Sequence, residues 1–211
     1  IIKADKYIIA CGPWNKKILP NFFNKISYIS RQEVYFFSIP NNNNDNYKIK
    51  NMPCWMDLNE NSPTYYGMPF HLNKGFKVAY DERSTLFDPD KSDRIPLPKL
   101  IKRTKKYIYK RFPGLKNLPI SESKVCQYEN SIDGNFIIEK HSLSNNVLIM
   151  GGSSGHGFKM GPGIGEFVKD VILKNKKIPS FFSRSRLINN KNLSQYYNSQ
   201  IKYESKKRFF N

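Results

Sequence analysis

The segment at residues 151–165, here called the glycine segment, constrains this chain more than any other, because seven of its fifteen residues are glycine. A strand-like run at 146–150 precedes it, and an amphipathic stretch at 166–174 follows it. The pattern predicts a strand, a glycine loop and a helix that begins near Glu166. Glycines let backbone N–H groups approach a ligand closely, and a helix N-terminus favours anions or electron-rich ring edges. A loop of this kind can form a ligand site.

Three kinds of site fit a glycine loop between a strand and a helix. A hydrolase elbow would use Gly151-x-Ser153-x-Gly155, but the histidines stand at 71, 141 and 156, and none lies far enough downstream to complete a Ser, acid, His order. A dinucleotide fingerprint would need a different residue where Met160 stands. The third candidate is a loop that lines a flavin ring, and spacing alone favours it no more than a purely structural loop.

The composition indicates a folded and strongly basic protein. The chain has 211 residues, of which 39% are hydrophobic, enough for one substantial core without disulfides or a metal. Thirty-five Lys and Arg against 17 Asp and Glu give a net charge of +18, which raises the question of nucleic acid or another anionic surface. The basic residues are spread thinly among many Asn, Ile and Tyr. Biased amino-acid usage explains this better than a binding patch, so we expect no nucleic-acid partner.

The cysteines and the apolar runs bear on the compartment. Three cysteines at wide spacings, Cys11, Cys54 and Cys126, fit neither a disulfide framework nor a zinc site. No apolar run approaches the ~20 residues that a membrane helix requires. We therefore expect a reducing, cytoplasmic setting, with no membrane and no metal. The chain opens with Ile1 and runs straight into a strand-like segment, so we expect it to be a fragment.

Short apolar runs separated by turn signals predict most of the secondary structure. The runs at 64–69 and 75–80 lie about six residues apart, as in an antiparallel hairpin. Residues 97–111 carry spaced apolar positions and stop before Pro113-Gly114, which predicts a helix. Further strands are predicted at 7–10, 31–37, 124–128, 135–138 and 146–150.

Several motifs taken together resemble one enzyme family. The sequence SSGHGFKMGPGIGE, within and just after the glycine segment, closely resembles the C-terminal signature of the FAD-dependent amine oxidases grouped around monomeric sarcosine oxidase, N-methyltryptophan oxidase, pipecolate oxidase and the fructosyl-amino-acid oxidases. The stretch VCQYENSIDGNFII resembles the cysteine segment of the same family, with Cys126 seven residues before Asp133. Similar stretches occur upstream in the same order, at 10–14, 65–69, 76–78, 94 and 112–113.

The resemblance covers roughly residues 3–187 and implies a fold. In this family a Rossmann-like FAD domain is interrupted by a substrate domain built on a mixed, largely antiparallel sheet. The chain would hold the C-terminal half of such a two-domain FAD-dependent oxidoreductase, of class α/β plus α+β. The implied parts are the end of the first FAD-domain pass at 1–25, the substrate domain at 26–120, the return of the FAD domain at 121–187 and a polar basic tail at 188–211. The family's N-terminal ADP-binding motif is absent from the chain.

The resemblance also implies how FAD and the substrate are held. Cys126 stands where the family attaches FAD covalently, through a thioether to the flavin 8α-methyl, whereas its alternative role is that of a buried structural cysteine. Lys159 matches the lysine that binds the substrate carboxylate, and the alternative is a solvated side chain. Residues of the glycine segment would lie against the flavin: Gly152, Gly155, His156, Gly157 and Phe158.

Four further residues match positions of the family's active site. Lys77 matches the lysine near flavin N5, where a positive charge would stabilise superoxide during reoxidation by O2. Tyr66 and Tyr128 match tyrosines that bound the substrate pocket. Asp81 stands where sarcosine-type enzymes carry a histidine, and an aspartate there would favour a cationic amine or a hydroxylated substituent. The structural alternatives are an outward strand lysine, core aromatics, and an aspartate that faces solvent at the end of a hairpin.

The activity implied by the resemblance is the oxidation of secondary, N-substituted amino acids. A hydride would pass from the carbon next to the amine to flavin N5, and O2 would reoxidise the flavin to give H2O2. The partners would be a small amino acid or amine and O2, and the protein would be a monomer. The alternatives are a flavin dehydrogenase that passes electrons elsewhere, a non-catalytic basic module that binds nucleic acid, and a decayed copy without activity.

Overall fold

A computed structural model describes residues 2–40, 45–59, 62–71, 74–81, 83 and 85–188, so most of the predicted basic tail lies outside the described residues. The chain divides into two compact units, which are described separately. Unit 1 comprises Ile1–Ser30, Leu86–Pro89 and Gln127–Asn211, and unit 2 comprises Arg31–Thr85 and Asp90–Cys126.

The described residues form eight strands, five α-helices and short 3-10 turns. The strands are β1 Tyr7–Ile9, β2 Ser27–Phe37, β3 Trp55–Asn59, β4 Ser62–His71, β5 Gly75–Tyr80, β6 Ile120–Ser131, β7 Ile137–His141 and β8 Ser144–Gly151. The α-helices are α1 Asn15–Ile18, α2 Pro20–Phe23, α3 Pro98–Arg111, α4 Gly157–Leu173 and α5 Ser185–Ile188. The 3-10 turns lie at Gly12–Trp14, Asp45–Tyr47, Pro113–Leu115 and Ser180–Phe182.

Unit 1 is built on a three-stranded sheet of order β1-β8-β7, with β1 parallel and β7 antiparallel to β8. Successive side chains of a strand point to opposite faces, and both faces are covered at β7 and β8. Ile137 and Ile149 join a buried cluster with Phe22 and Phe23 of α2. The second cluster contains Ile138 and Leu148 together with Val168 and Val171 of α4. The strand β8 and the helix α4 therefore fix the two ends of the glycine segment.

Unit 2 is built on a five-stranded sheet of order β3-β4-β5-β2-β6. The predicted hairpin is confirmed, because β4 and β5 pair antiparallel with Tyr66 opposite Ala79. The predicted helix is α3, and its Ile108 belongs to the buried cluster that includes Phe76 and Val78 of β5. Because side chains alternate along β5, Lys77 points away from this core.

The structure differs from the sequence-based expectations at two elements. The prediction that a helix begins near Glu166 is wrong, because α4 begins at Gly157, inside the glycine segment. Glycine and proline disfavour helix, and Pro162 lies inside α4, but Ile164 packs against the buried cluster of Ile138, Leu148 and Val168 and so favours helix before Glu166. The strand β3 was not predicted, because its five residues WMDLN include Asp57 and Asn59, residue types that are depleted in strands.

Candidate functional site

The backbone of the glycine segment takes conformations that explain two of its glycines. Gly152 and Gly155 have φ values of +66° and +87°, in the left-handed region that glycine adopts without strain. A Cβ at position 155 would also come within 2.6 Å of the Tyr128 ring. The predicted residues Gly155 and Tyr128 are therefore brought together within unit 1, and a side chain at 155 would force the Tyr128 ring or the backbone to shift.

The first turn of α4 presents backbone N–H donors in the middle of the glycine segment. Gly157, Phe158 and Lys159, predicted in a loop, form the first helical residues, and no side chain caps this N-terminus. Phe158 is fully exposed, and Lys159 is exposed as well. The first N–H groups of a helix lack partners within the helix and carry partial positive charge. This 17-residue helix therefore offers donors to an electron-rich group placed before it.

His156 anchors the glycine segment to a neighbouring turn. Its Nε2 lies 3.0 Å from the carbonyl oxygen of Gly134, and its ring meets Phe136 edge to face at 5.8 Å between centroids. Because a carbonyl oxygen only accepts hydrogen bonds, Nε2 carries a proton in this arrangement. His156 therefore has a defined orientation at the start of α4.

A buried carboxylate that sequence reasoning missed lies under the glycine segment. The Glu129 carboxylate accepts hydrogen bonds from Gly152 N at 3.0 Å and from Asn15 Nδ2 at 3.0 and 3.2 Å. Burial raises the pKa of Glu129 to about 7, against the opposing effect of these hydrogen bonds. The Asn15 and Glu129 positions are 114 residues apart, so no local pattern announces the pair.

Unit 2 brings together Lys77, Tyr66 and Cys126. Lys77 stands opposite Met68 in β4 and Phe36 in β2, and its Nζ lies 5.5 Å from the centroid of the Tyr66 ring. Burial lowers the pKa of Lys77, while the thiols of Cys126 and Cys54 act in the opposite direction. Lys77 therefore carries a half-buried ammonium near the Tyr66 ring, and Cys126 and Cys54 act on its charge.

Asp81 is engaged by a neighbouring guanidinium at the end of β5. Arg83 donates from Nε to Oδ1 at 3.2 Å and from Nη2 to Oδ2 at 3.1 Å, and both side chains are largely buried. A two-bond arginine–carboxylate pair fixes both groups strongly. The ion pair neutralises the charge that Asp81 was predicted to offer to a substrate.

The predicted site residues thus fall into two sets. Unit 2 contains Lys77, Tyr66, Asp81 and Cys126, whereas unit 1 contains Tyr128, Lys159 and the glycine segment. Across the described ranges, no group of three or more His, Cys, Asp or Glu side chains is arranged to hold a metal ion. No helix in the described part of the chain has the length and apolar character needed to cross a membrane.

Comparison with known sequences gives a family and named relatives. A family model described as FAD dependent oxidoreductase matches residues 1–171. Monomeric sarcosine oxidase from Bacillus sp. (strain B-0618) is 33% identical over 179 residues, which is 82% of this chain and 44% of that protein. N-methyl-L-tryptophan oxidase from Salmonella arizonae is 29% identical over 184 residues, 84% of this chain and 45% of that protein. The chain thus spans less than half the length of these relatives.

Comparison with solved structures gives the same architecture. Fructosyl amine: oxygen oxidoreductase (Amadoriase I) from Aspergillus fumigatus superposes with a TM-score of 0.71 at 20% identity, over 90% of this chain and 45% of that one. L-proline dehydrogenase from P. horikoshii gives 0.70 at 22% identity, over 89% of this chain and 48% of that one. These likenesses concern the fold alone, and they confirm the predicted α/β plus α+β class with its largely antiparallel sheet.

Proposed function

Because the chain belongs to the family of FAD dependent oxidoreductases, we propose that it carries the substrate-binding and flavin-contacting part of an oxidase of secondary, N-substituted amino acids. The resemblance inferred from the sequence motifs is confirmed by the family match. The names of the relatives support the substrate class, since sarcosine and N-methyltryptophan are both N-methylated amino acids. We further propose that unit 1 is FAD domain and unit 2 the substrate domain, replacing the boundaries drawn at 26 and 120.

The single observation that carries the proposal is the uncapped N-terminus of α4 within the glycine segment. The residues present fit a flavin, because the electron-rich edge of its ring is the kind of group that helix N–H donors favour. Gly152, Gly155, His156, Gly157 and Phe158 would hold it there. The chemistry supplied by FAD when bound is a two-electron oxidation, in which a hydride leaves the carbon next to the amine and O2 finally takes up both electrons as H2O2.

The lysines would act on the two reactants by charge. Lys159 is exposed in the first turn of α4, where its ammonium would bind the substrate carboxylate through a charge-assisted hydrogen bond. Lys77 is half-buried, and a positive charge in such surroundings would stabilise the negative charge that develops on O2. Tyr66 and Tyr128 would each offer a ring to the substrate, as the family resemblance implies.

Cys126 would attach the cofactor covalently. Forming a thioether to the flavin 8α-methyl would release two protons, one from the thiol and one from the methyl group, together with two electrons. O2 can accept the two electrons. The half-buried, unpaired state of Cys126 and its position near Lys77 support this role.

We propose that Asp81 affects the choice of substrate indirectly, through Arg83. Its carboxylate is held by Arg83, so we propose that it orients this guanidinium and does not bind a cationic amine by itself.

The three free cysteines support a reducing compartment, and we propose a cytoplasmic monomer.

The test is anaerobic mixing of the full-length protein with N-methylated amino acids. Substrate should bleach the visible flavin absorbance in the absence of O2, and admission of air should restore it with the appearance of H2O2. The same amino acids without the N-methyl group serve as the matched control and should reduce the flavin far more slowly. A flavin that no N-substituted amino acid reduces would overturn the proposal.

A further inference from the structure

The carboxylate of Glu129 joins three separate segments of unit 1. Glu129 is 2% exposed and belongs to β6, Gly152 belongs to the glycine segment, and Asn15 begins α1 and is 0% exposed. Asn15 also donates from Nδ2 to the carbonyl oxygen of Met150 at 2.8 Å and accepts from Cys11 N at 3.0 Å. Two of the contacted groups, Gly152 N and the Met150 carbonyl, lie on either side of Gly151, where β8 leads into the glycine segment.

Burying the Glu129 carboxylate costs free energy, so we expect the residue to have a specific role. A carboxylate taken out of water destabilises the folded protein unless hydrogen bonds compensate it. The raised pKa of Glu129 shows that burial outweighs its hydrogen bonds. The carboxylate fixes the relative positions of two segments, because Gly152 N and Asn15 Nδ2 both donate to it.

Hydrogen bonds connect Glu129 to the backbone of the glycine segment at Gly152 and Ser154. Its carboxylate accepts from Gly152 N, and its main-chain oxygen accepts from Ser154 N at 2.8 Å. The Ser154 hydroxyl donates to the Gly152 carbonyl at 3.0 Å, which closes a loop around these residues. Gly155 follows directly, with its backbone against the Tyr128 ring.

We propose that Glu129 is a positioning residue that fixes the Gly152 peptide, and through it the path of the glycine segment into α4. Glu129 itself touches neither substrate nor cofactor in this role. That FAD is the ligand presented by the positioned segment rests on the proposed function, whereas the effect of Glu129 on the segment does not.

The first test is hydrogen exchange, measured by mass spectrometry on the full-length protein without added FAD. Glu129→Gln keeps the shape of the side chain but replaces one acceptor oxygen by a donor group, which faces the donors of Gly152 and Asn15. Exchange in peptides covering 151–157 should accelerate about tenfold or more, as expected for the loss of one hydrogen bond to a charged group. Exchange in β7 should stay as in the unsubstituted protein.

Glu139→Gln is the matched control. Glu139 is a half-buried glutamate of the same unit, and its carboxylate accepts from Ser183 Oγ at 2.8 Å and Arg184 N at 2.9 Å, away from the glycine segment. Its replacement should accelerate exchange around Ser183 and leave 151–157 unchanged. Unchanged exchange at 151–157 in Glu129→Gln would overturn the proposal, as would acceleration spread equally over β7 and β8, since that is the mark of a merely structural role.

The second test measures the dissociation constant for FAD in a Cys126→Ser background, so that covalent attachment cannot mask weaker binding. Glu129→Gln should raise this constant about tenfold, by loss of one hydrogen bond to a charged group, and Glu139→Gln should leave it unchanged. If Glu129→Gln fails to fold, Glu129→Asp withdraws the carboxylate by one methylene and must show the same local loss. Equal FAD affinity in the folded Glu129 variant and the parent would overturn the proposal. Failure of the parent itself to bind FAD would overturn the proposed function, and the exchange data would still decide the role of Glu129.

Discussion

The ring of Tyr128 lies directly against the backbone of Gly155, so that a Cβ at 155 would come within 2.6 Å of the ring. Both residues were predicted for the same site from motifs 27 positions apart, and the fold of unit 1 brings them into contact. The contact couples an aromatic side chain of β6 to the turn that leads into α4.

Gly155→Ala should destabilise the protein. The φ of +87° and the approach of the Tyr128 ring both oppose a side chain, and backbone strain alone costs about 1–3 kcal/mol. Gly163→Ala is the control, because a Cβ there meets no atom within 4 Å, and alanine in a helix gains about 0.5–1 kcal/mol over glycine. Thermal unfolding of both variants checks this. Equal midpoints for Gly155→Ala and the parent would contradict the described backbone.

Cys126→Ser should abolish covalent flavin. Acid precipitation of the full-length protein should give a yellow pellet, whereas the variant should leave the colour in the supernatant. Cys54→Ser is the control and should behave like the parent, although its thiol also acts on Lys77. A colourless pellet from the parent would rule out the thioether while leaving the flavoenzyme in place.

Lys77→Met should slow the reaction with O2 and spare the reduction by substrate. Removing one preorganised charge costs about 10²–10³ in rate, so kcat/KM for O2 should fall by that factor. Lys74→Met is the control, because Lys74 precedes the same strand but pairs with Glu122 at 3.0 Å and is about half exposed. Separate anaerobic and aerobic stopped-flow measurements distinguish the two steps. A parallel loss in both steps would speak against a role confined to O2.

Glu129 should make stability fall as pH rises. Its folded-state pKa of about 7 lies above its ordinary value of 4.5, so the folded protein holds an extra proton between these values. The stabilising contribution is fully present below pH 4.5 and is lost as pH rises through 7. The loss should reach about 3 kcal/mol, since each pKa unit corresponds to about 1.4 kcal/mol.

Chemical unfolding from pH 4 to 8 checks this prediction. The difference in the free energy of unfolding between the parent and Glu129→Gln isolates the carboxylate, and that difference should change steadily in favour of the variant toward high pH. Glu139→Gln should run parallel to the parent. A pH-independent difference between Glu129→Gln and the parent would mean that Glu129 titrates normally.

The elements with strong local signals could be predicted from sequence. The hairpin of β4 and β5 and the helix α3 have clear apolar spacing and turn residues, and both were found. The start of α4 could not be predicted, because glycine and Pro162 locally disfavour helix, whereas Ile164 packs against the buried cluster of the sheet and favours it. Tertiary packing overrides propensity at that point.

Motifs in the sequence suggest candidate site residues, whereas contacts that only the fold creates could not be predicted. Lys77 and Tyr66 are eleven positions apart, and the strand pairing explains why the motif holds them together. Asn15 and Glu129 meet across 114 positions, and neither has an unusual neighbourhood in the sequence. Asp81 and Arg83 are only two positions apart, but no motif indicates that they form an ion pair, and this pair changes what the predicted residue Asp81 can do.

The most direct measurement is oxygen uptake by the full-length protein in the presence of an N-methylated amino acid, followed by addition of catalase. An oxidase that uses Lys77 and the glycine segment as proposed should consume O2 in proportion to substrate, and catalase should return half of it because H2O2 is the product. No uptake, with electrons passing only to an artificial dye, would contradict the oxidase and indicate a dehydrogenase. No turnover with either acceptor would contradict catalysis altogether.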